Sequence, residues 1–156
     1  MLRWTKCGLL TILATILICG FVAGNSPEAS PFHTKFRFAD VEGMGKEKGV
    51  TRRDPSDVIE FQKRYFVWYT RTTEASGGYY DASIWYATSP DGKKWTEQGK
   101  ALDQGQKGSW DAESVFTPNI LIAEGRYFLF YTAIAEPWTL RFQTAIGVAV
   151  ADSPEG

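Results

Sequence analysis

Charged side chains crowd around a single proline in the segment Thr51–Asp57. Pro55 fixes its own φ and biases the preceding Asp54 toward an extended backbone, so the Asp54 carboxylate is held in a defined direction. Such a carboxylate can act as a general base or a nucleophile. It can equally form an ion pair with Arg52 or Arg53, or stabilise a turn. The residue types alone leave both interpretations open.

A second group of candidate residues lies in the segment Ser109–Asn119. Asp111 and Glu113 could supply an acid or accept hydrogen bonds from sugar hydroxyls, or they could be solvated loop charges. Trp110 could stack on a pyranose ring, or it could pack between sheets. The candidate residues are Asp54 for catalysis and, for substrate binding, Arg52, Arg53, Trp110, Asp111 and Asn119.

Several other classes of site lack their sequence signals. Net charge is close to zero, with 17 basic and 18 acidic residues and no basic stripe, which argues against a nucleic-acid partner. The single histidine, His33, lies beside a proline-rich linker. No cluster of histidine and cysteine suggests zinc, and no glycine-rich loop suggests phosphate binding. We predict no metal ligands among these residues and no required cofactor.

The elements around the candidate residues read as short β-strands. Aromatic residues make up 15% of the chain, and runs of aromatic and β-branched residues suit a pleated sheet. Ser89-Pro90-Asp91-Gly92 has the chemistry of a tight turn. By the repeat described next, Asp57 corresponds to Asn119, which favours a turn-stabilising role for Asp57. The predicted strands are Phe32–Phe38, Val58–Phe61, Arg64–Arg71, Ala82–Thr88 and Lys94–Gln98.

An internal repeat organises the chain. Arg64–Thr70 recurs as Arg126–Thr132, and Ala87–Gly92 recurs as Ala151–Gly156. A unit of four short strands that recurs at a fixed spacing is typical of a β-propeller blade. The sequence therefore predicts an all-β fold, a β-propeller of four-stranded antiparallel blades. About two blades are present, at residues 51–104 and 105–156, and we expect the chain to be a truncated propeller.

The first 24 residues have the pattern of a secretory signal peptide. A basic start is followed by the apolar run Gly8–Val22 and by small residues before Asn25. Both cysteines lie in this segment, so the mature chain would contain no disulfide. Residues 25–50 read as a linker with an N-terminal strand and loop. We expect a secreted or periplasmic protein; the alternatives are an uncleaved membrane anchor and a lipoprotein.

The chain resembles the five-bladed β-propeller glycoside hydrolases, in particular families 43 and 117 and, more distantly, family 32. The residues that carry the resemblance are Arg53–Ile59 at the head of the first blade, Tyr65–Tyr69, and the turn Ser89–Gly92. The resemblance extends over Thr51–Gly156, about the first two of five blades. It implies a glycosidase that acts on a poly- or oligosaccharide, with arabinan, xylan, fructan and agar oligosaccharides all compatible.

The resemblance also implies roles for individual residues. The first-blade aspartate is the general base of inverting members or the nucleophile of retaining members, and this role falls on Asp54. The proton donor comes from later blades, and some members hold Ca²⁺ on the propeller axis. We predict a glycoside hydrolase, inverting by preference, that needs these later blades for activity. The alternative is a non-catalytic carbohydrate-binding or structural propeller, which would need no acid across the central funnel.

Overall fold

Strands dominate the part of the chain that can be described. The computed structural model describes residues 36, 39–73, 81–137 and 143–156. The chain divides into two units, Met1–Arg37 and Phe38–Gly156, and every element below belongs to the second. The predicted signal peptide lies outside the described residues, as does nearly all of the predicted strand Phe32–Phe38. Within the described ranges no helix is long and apolar enough to cross a membrane.

Eight strands occur in the described residues, and no helix occurs there. Five of them form the first sheet, in the order β1-β3-β4-β5 with β2 also paired to β3; the other three form the second sheet, in the order β6-β7-β8. All pairings are antiparallel. The strands are β1 Val50–Arg53, β2 Ile59–Phe61, β3 Arg64–Thr73, β4 Ser83–Ser89, β5 Thr96–Leu102, β6 Ser114–Ala123, β7 Arg126–Ile134 and β8 Thr144–Ala151.

The two sheets are successive propeller blades. β1 and β2 both pair with β3, so together they form one interrupted inner strand. β6 is the corresponding inner strand of the second sheet. The all-β propeller prediction is confirmed. The inner strand of the first blade was predicted incompletely, because β1 is charged and reads as a loop.

The main core lies between the two sheets. Side chains alternate across a strand, so Phe66 and Trp68 of β3 point toward the second sheet together with Ile84 of β4. Burying each large apolar side chain contributes about 1.5–3 kcal/mol. This packing fixes the second inner strand beside the first. The cluster consists of Phe66, Trp68, Ile84, Val115, Ile120, Leu129, Tyr131 and Ala133.

The opposite face of the first sheet carries a second apolar cluster of Val67, Tyr69, Ala87 and Trp95. The turn after β4 delivers Trp95 to this cluster, and its Nε1–H donates to the Gly92 carbonyl at 3.1 Å. Because Trp95 belongs to the turn, β5 begins at Thr96 and extends to Leu102, later than the predicted strand Lys94–Gln98.

The face of the second sheet that points away from the first is apolar and exposed. By the repeat, Phe130 corresponds to Trp68, yet Phe130 is 37% exposed and Trp68 only 3%. The difference follows from packing, because only Trp68 has a sheet against it. The other exposed apolar residues on this face include Leu121, Ile146, Val148 and Val150.

Candidate active site

Asp54 lies in a β-bulge of the first inner strand. β1 ends at Arg53, which pairs with Thr70. The next contact is made by Ser56: its N–H donates to the Trp68 carbonyl at 2.8 Å, and its Oγ accepts from the Trp68 N–H at 3.0 Å. Asp54 and the proline after it therefore stand opposite a single residue of β3, which defines a bulge. Bulges redirect side chains, and this one redirects a carboxylate.

The backbone at Asp54 is left-handed, with φ 52°. The sequence predicted an extended backbone there because proline follows, and that prediction was wrong. The two hydrogen bonds made by Ser56 hold the strand on either side, so the two bulged residues must turn within a short span. Aspartate tolerates the left-handed region better than most residues.

A second bulge of the same kind interrupts β6. Phe116 pairs with Thr132 and Asn119 pairs with Phe130, so two residues again stand opposite one. The first of them, Thr117, has φ 51° and is followed by a proline, as Asp54 is. Thr117 is therefore the counterpart of Asp54 in the second blade.

The two bulges correct one correspondence drawn from the sequence. Asn119 was matched with Asp57, but the registers match it with Ser56, because Ser56 bonds to Trp68 and Asn119 pairs with the repeat equivalent of Trp68, Phe130. The turn-stabilising role in the first blade thus belongs to Ser56. Asp57 is exposed, and its carbonyl accepts a hydrogen bond from the Ser56 hydroxyl at 2.7 Å.

Arg53 lies between Asp54 and the second sheet. Its Nη1 forms an ion pair with Asp54 Oδ2, and its Cζ lies 5.7 Å from the centroid of the Phe116 ring. The ion pair left open by the sequence is therefore present. It leaves 32% of the Asp54 side chain exposed, so a water molecule or a ligand can reach the carboxylate.

Arg52 points to the opposite face, because successive residues of a strand alternate. Its Nη2 lies 2.6 Å from Glu47 Oε2, and its Nε lies 3.1 Å from Glu97 Oε2. Tyr69 donates its hydroxyl to the same Glu97 oxygen at 2.6 Å. Burial works to lower the pKa of Arg52, but the bonds to Glu47 and Glu97 outweigh it and raise the pKa above the ordinary value. The structure does not bring Arg52 together with Asp54, and substrate binding by Arg52 stays a prediction.

Trp110 lies in the loop before β6 and packs against the second sheet. Its ring stacks on Tyr131 with centroids 5.9 Å apart, at an angle of 22°. Gly147 makes room for both rings, because a Cβ there would lie 2.5 Å from Trp110 Cη2 and 2.5 Å from Tyr131 Cζ. This packing is against one sheet, whereas the alternative drawn from the sequence was packing between sheets. Since Trp110 is 45% exposed, part of the ring is also available for stacking on a sugar.

Asp111 closes the loop before β6. Its Oδ1 accepts from the Ser109 hydroxyl at 2.7 Å, and its carbonyl accepts from the Gly105 N–H at 3.0 Å. A Cβ at Gly105 would lie 1.9 Å from Asp111 Oδ1, so the loop depends on a glycine there. Burial, and then the charge of Asp111, raise the pKa of Tyr131.

The geometry brings part of the predicted set together. Arg53 forms an ion pair with Asp54 and also contacts Phe116, beside the second bulge. Asn119 is exposed on the far face of β6, paired with Phe130. Sequence reasoning missed Ser56 and Thr117; the signal for Thr117 was the proline that follows both bulged residues. The described residues contain no group of three or more His, Cys, Asp or Glu that could hold a metal ion. Ca²⁺ on the propeller axis stays a prediction.

Two adjacent antiparallel blades, with an aspartate in a bulge of the first inner strand, define a β-propeller with a candidate acid–base site. The match to the family model for glycosyl hydrolases family 43 covers residues 49–156. The chain belongs to this family. A comparison with curated proteins found no match.

Solved structures share this fold. A family 117 glycoside hydrolase, Zg3597 from the marine bacterium Zobellia galactanivorans, is 31% identical over 77% of this chain and 41% of its own, with a TM-score of 0.70. The β-xylosidase/α-arabinofuranosidase CoXyl43 from a compost metagenome, in a calcium-free complex with xylotriose, is 23% identical. The match covers 77% of this chain and 36% of CoXyl43, with a TM-score of 0.57. A family 43 enzyme from Xanthomonas citri with bound xylose is 22% identical. The match covers 67% of this chain and 30% of that enzyme, with a TM-score of 0.54. The chain thus spans less than half the length of each.

Proposed function

We propose that the protein is a glycoside hydrolase that cleaves O-glycosidic bonds of a poly- or oligosaccharide, with Asp54 as the general base of an inverting reaction. The observation that carries the proposal is the bulge that redirects the Asp54 carboxylate at the inner strand. Membership of family 43 supports it, as does the resemblance to enzymes that act on xylose-containing sugars.

The chemistry requires two carboxyl-type groups. An aspartate is ordinarily ionised at neutral pH, and in an inverting reaction it removes a proton from the water that attacks the anomeric carbon. A second, protonated group on the other side of the sugar protonates the leaving oxygen. In inverting enzymes the two carboxyl groups lie about 6.5–9.5 Å apart. By the resemblance, this donor comes from a later blade.

Arg53 would orient the base in this reaction. Its guanidinium bonds to one Asp54 oxygen, which leaves the other oxygen to accept a proton from water. Because Arg53 also lies over the Phe116 ring, the carboxylate is held relative to both blades. Trp110, Asp111 and Asn119 remain candidates for binding the sugar.

The test is an Asp54→Asn variant of the intact protein, assayed on oligosaccharides of arabinan, xylan, fructan and agar. Removing a general base should lower kcat by about 10²–10⁴-fold while sugar binding persists. The matched control is Asp57→Asn, which makes the same change at an exposed aspartate three residues away and should leave kcat unchanged. ¹H NMR of the released sugar would show the inverted anomer. Equal turnover in Asp54→Asn and wild type would refute the role of Asp54.

We further propose that the protein is secreted or periplasmic, with cleavage after Gly24. The basic start and the apolar run of the first residues support this. N-terminal sequencing of the exported protein should begin at Asn25. A mature protein that retains Met1, or one found only in the cytoplasm, would contradict the proposal.

A further inference from the structure

Thr117 has a backbone conformation that is disfavoured both by its own β-branched side chain and by the proline that follows it. Its φ of 51° lies in the left-handed region, where a β-branched residue is a genuine outlier. The proline after it also disfavours this conformation. Backbone outliers of this kind persist only where the surrounding structure enforces them, and they cluster at functional sites.

Two hydrogen bonds enforce the conformation. The N–H of Thr117 donates to Thr70 Oγ1 in the first sheet at 2.9 Å. The hydroxyl oxygens of Thr117 and Thr132 lie 2.7 Å apart. Thr70 is fully buried, whereas Thr117 is exposed. The backbone is therefore anchored to the first sheet, and the hydroxyl lies beside Thr132, on the face of the second sheet that points away from the first.

The second blade thus presents a hydroxyl where the first presents a carboxylate. Thr117 and Asp54 occupy equivalent bulges of adjacent inner strands, with nearly equal φ values. They also share neighbours. Arg53, the ion-pair partner of Asp54, contacts the ring of Phe116 just before Thr117 and pairs in register with Thr70, which binds Thr117. The two bulges therefore lie beside each other on the inner strands of the two sheets.

The threonine pair suits a sugar hydroxyl. One hydroxyl hydrogen is used between the two oxygens, so the pair retains one donor and free acceptor lone pairs. A sugar hydroxyl also donates and accepts, and it can satisfy both. We propose that Thr117, supported by Thr132, binds a hydroxyl group of the sugar whose glycosidic bond lies at Asp54. This inference rests on the proposed glycosidase function and makes Thr117 a substrate-binding residue.

The test compares Thr117→Val with Thr117→Ser in the intact protein, using the same panel of arabinan, xylan, fructan and agar oligosaccharides. Valine keeps the shape and loses the hydroxyl, so KM should rise about 5- to 10-fold, the loss of one hydrogen bond, with a smaller change in kcat. Serine keeps the hydroxyl and should retain a KM within about twofold of wild type. Thr96→Val on the outer strand β5, also at an exposed threonine, is the matched control and should change neither constant.

A third variant separates binding from folding. Thr117→Gly removes the disfavoured conformation, so its Tm should rise by about 5 °C while its KM rises as in the valine variant. A residue with only a structural role would give the opposite, a lower Tm with an unchanged KM.

The outcomes distinguish the two proposals. Turnover that disappears in Asp54→Asn with an unchanged KM in Thr117→Val would overturn the role of Thr117 and leave the glycosidase proposal intact. Turnover that persists in Asp54→Asn with weaker binding in Thr117→Val would overturn the role of Asp54 only. If none of the oligosaccharides binds to the wild-type protein in an NMR titration, both proposals fail.

Discussion

The buried hydroxyl of Thr70 accepts a hydrogen bond from the backbone N–H of Thr117 at 2.9 Å, and this bond joins the two blades beside the candidate site. Thr70 lies opposite Arg53 in the first sheet. The bulge of one blade is thus held by a side chain of the other. Apolar packing brings the sheets together over a broad area, and this bond adds a directional restraint where the bulges lie.

Replacing Thr70 with valine tests this restraint. Thr70→Val keeps the volume but leaves the Thr117 N–H without its acceptor, which should cost about 1–3 kcal/mol of unfolding free energy. Thr70→Ser retains the acceptor and is the matched control, with a smaller loss from the missing methyl group. Urea unfolding measures both. Equal destabilisation in the two variants would mean that packing of the methyl group, and not the hydrogen bond, stabilises this position.

The strands of the blade cores were predictable from sequence because their side chains follow their environment. β3 and β4 are rich in aromatic and β-branched residues, and both were placed within two residues of their observed ends. β1 could not be found in this way. Two consecutive residues of β1, Arg52 and Arg53, point to opposite faces of the sheet. Arg52 contacts carboxylates, and Arg53 contacts an aromatic ring. Because both faces of β1 carry a charged residue, its sequence does not alternate between apolar and polar residues.

The candidate site was predictable only where charge marked it. Asp54 stood out because a carboxylate before a proline is an evident chemical group. Thr117 carries no charge, and its significance depends on a backbone angle and on the register of β6. Arg52 and Arg53 look equivalent in sequence, yet only Arg53 contacts Asp54. Consecutive residues of a strand point to opposite faces, so Arg52 and Arg53 have different surroundings. This difference cannot be predicted unless the segment is first recognised as a strand.

The two inner hairpins make a matched pair for testing turn chemistry. Gln62-Lys63 and Glu124-Gly125 are two-residue turns with positive φ at both positions. Glycine adopts positive φ without steric cost, and Lys63 does not. Lys63→Gly should therefore stabilise the protein by about 0.5–1 kcal/mol, and Gly125→Lys should destabilise it by a similar amount. Thermal unfolding measures both, and a lower Tm for Lys63→Gly would contradict the expectation.

Tyr69 makes stability sensitive to alkaline pH. Burial, and then its hydrogen bond to Glu97, raise the pKa of Tyr69 above the usual value of about 10. The unfolded chain then loses this proton first, so the stabilisation is complete below about pH 10 and disappears as pH rises toward the pKa of the folded state. Tyr69→Phe should lower stability at pH 8 and flatten its decline above pH 10. Urea midpoints between pH 8 and 11 test this; parallel curves for variant and wild type would refute it.

Asp91 makes the turn after β4 sensitive to acid. Its Oδ1 accepts from the backbone N–H groups of Lys94 at 2.9 Å and Lys93 at 2.8 Å, and these bonds lower the pKa of Asp91. The stabilisation is therefore present above the ordinary value of about 3.9 and is lost as pH falls through the lowered pKa. Asp91→Asn keeps an acceptor oxygen but no titration, so its stability should vary less over this acid range. Acid unfolding followed by Trp fluorescence measures the difference, and identical acid midpoints would contradict it.

Gly147 tests whether the stacked pair of Trp110 and Tyr131 needs the space beside it. A Cβ at this position would lie 2.5 Å from an atom of each ring, so Gly147→Ala forces at least one ring to move. Such overpacking costs about 1–3 kcal/mol, and displacement of Trp110 should shift its fluorescence to longer wavelength. The matched control is Gly45→Ala, where the nearest atom to a new Cβ would be a carbonyl oxygen at an ordinary 3.7 Å. If Gly147→Ala and Gly45→Ala unfold at the same urea concentration, the rings of Trp110 and Tyr131 can shift to accommodate the added methyl group without loss of stability. In that case Trp110 can turn toward a bound sugar without loss of stability, and its role as a stacking platform gains support over its role in packing.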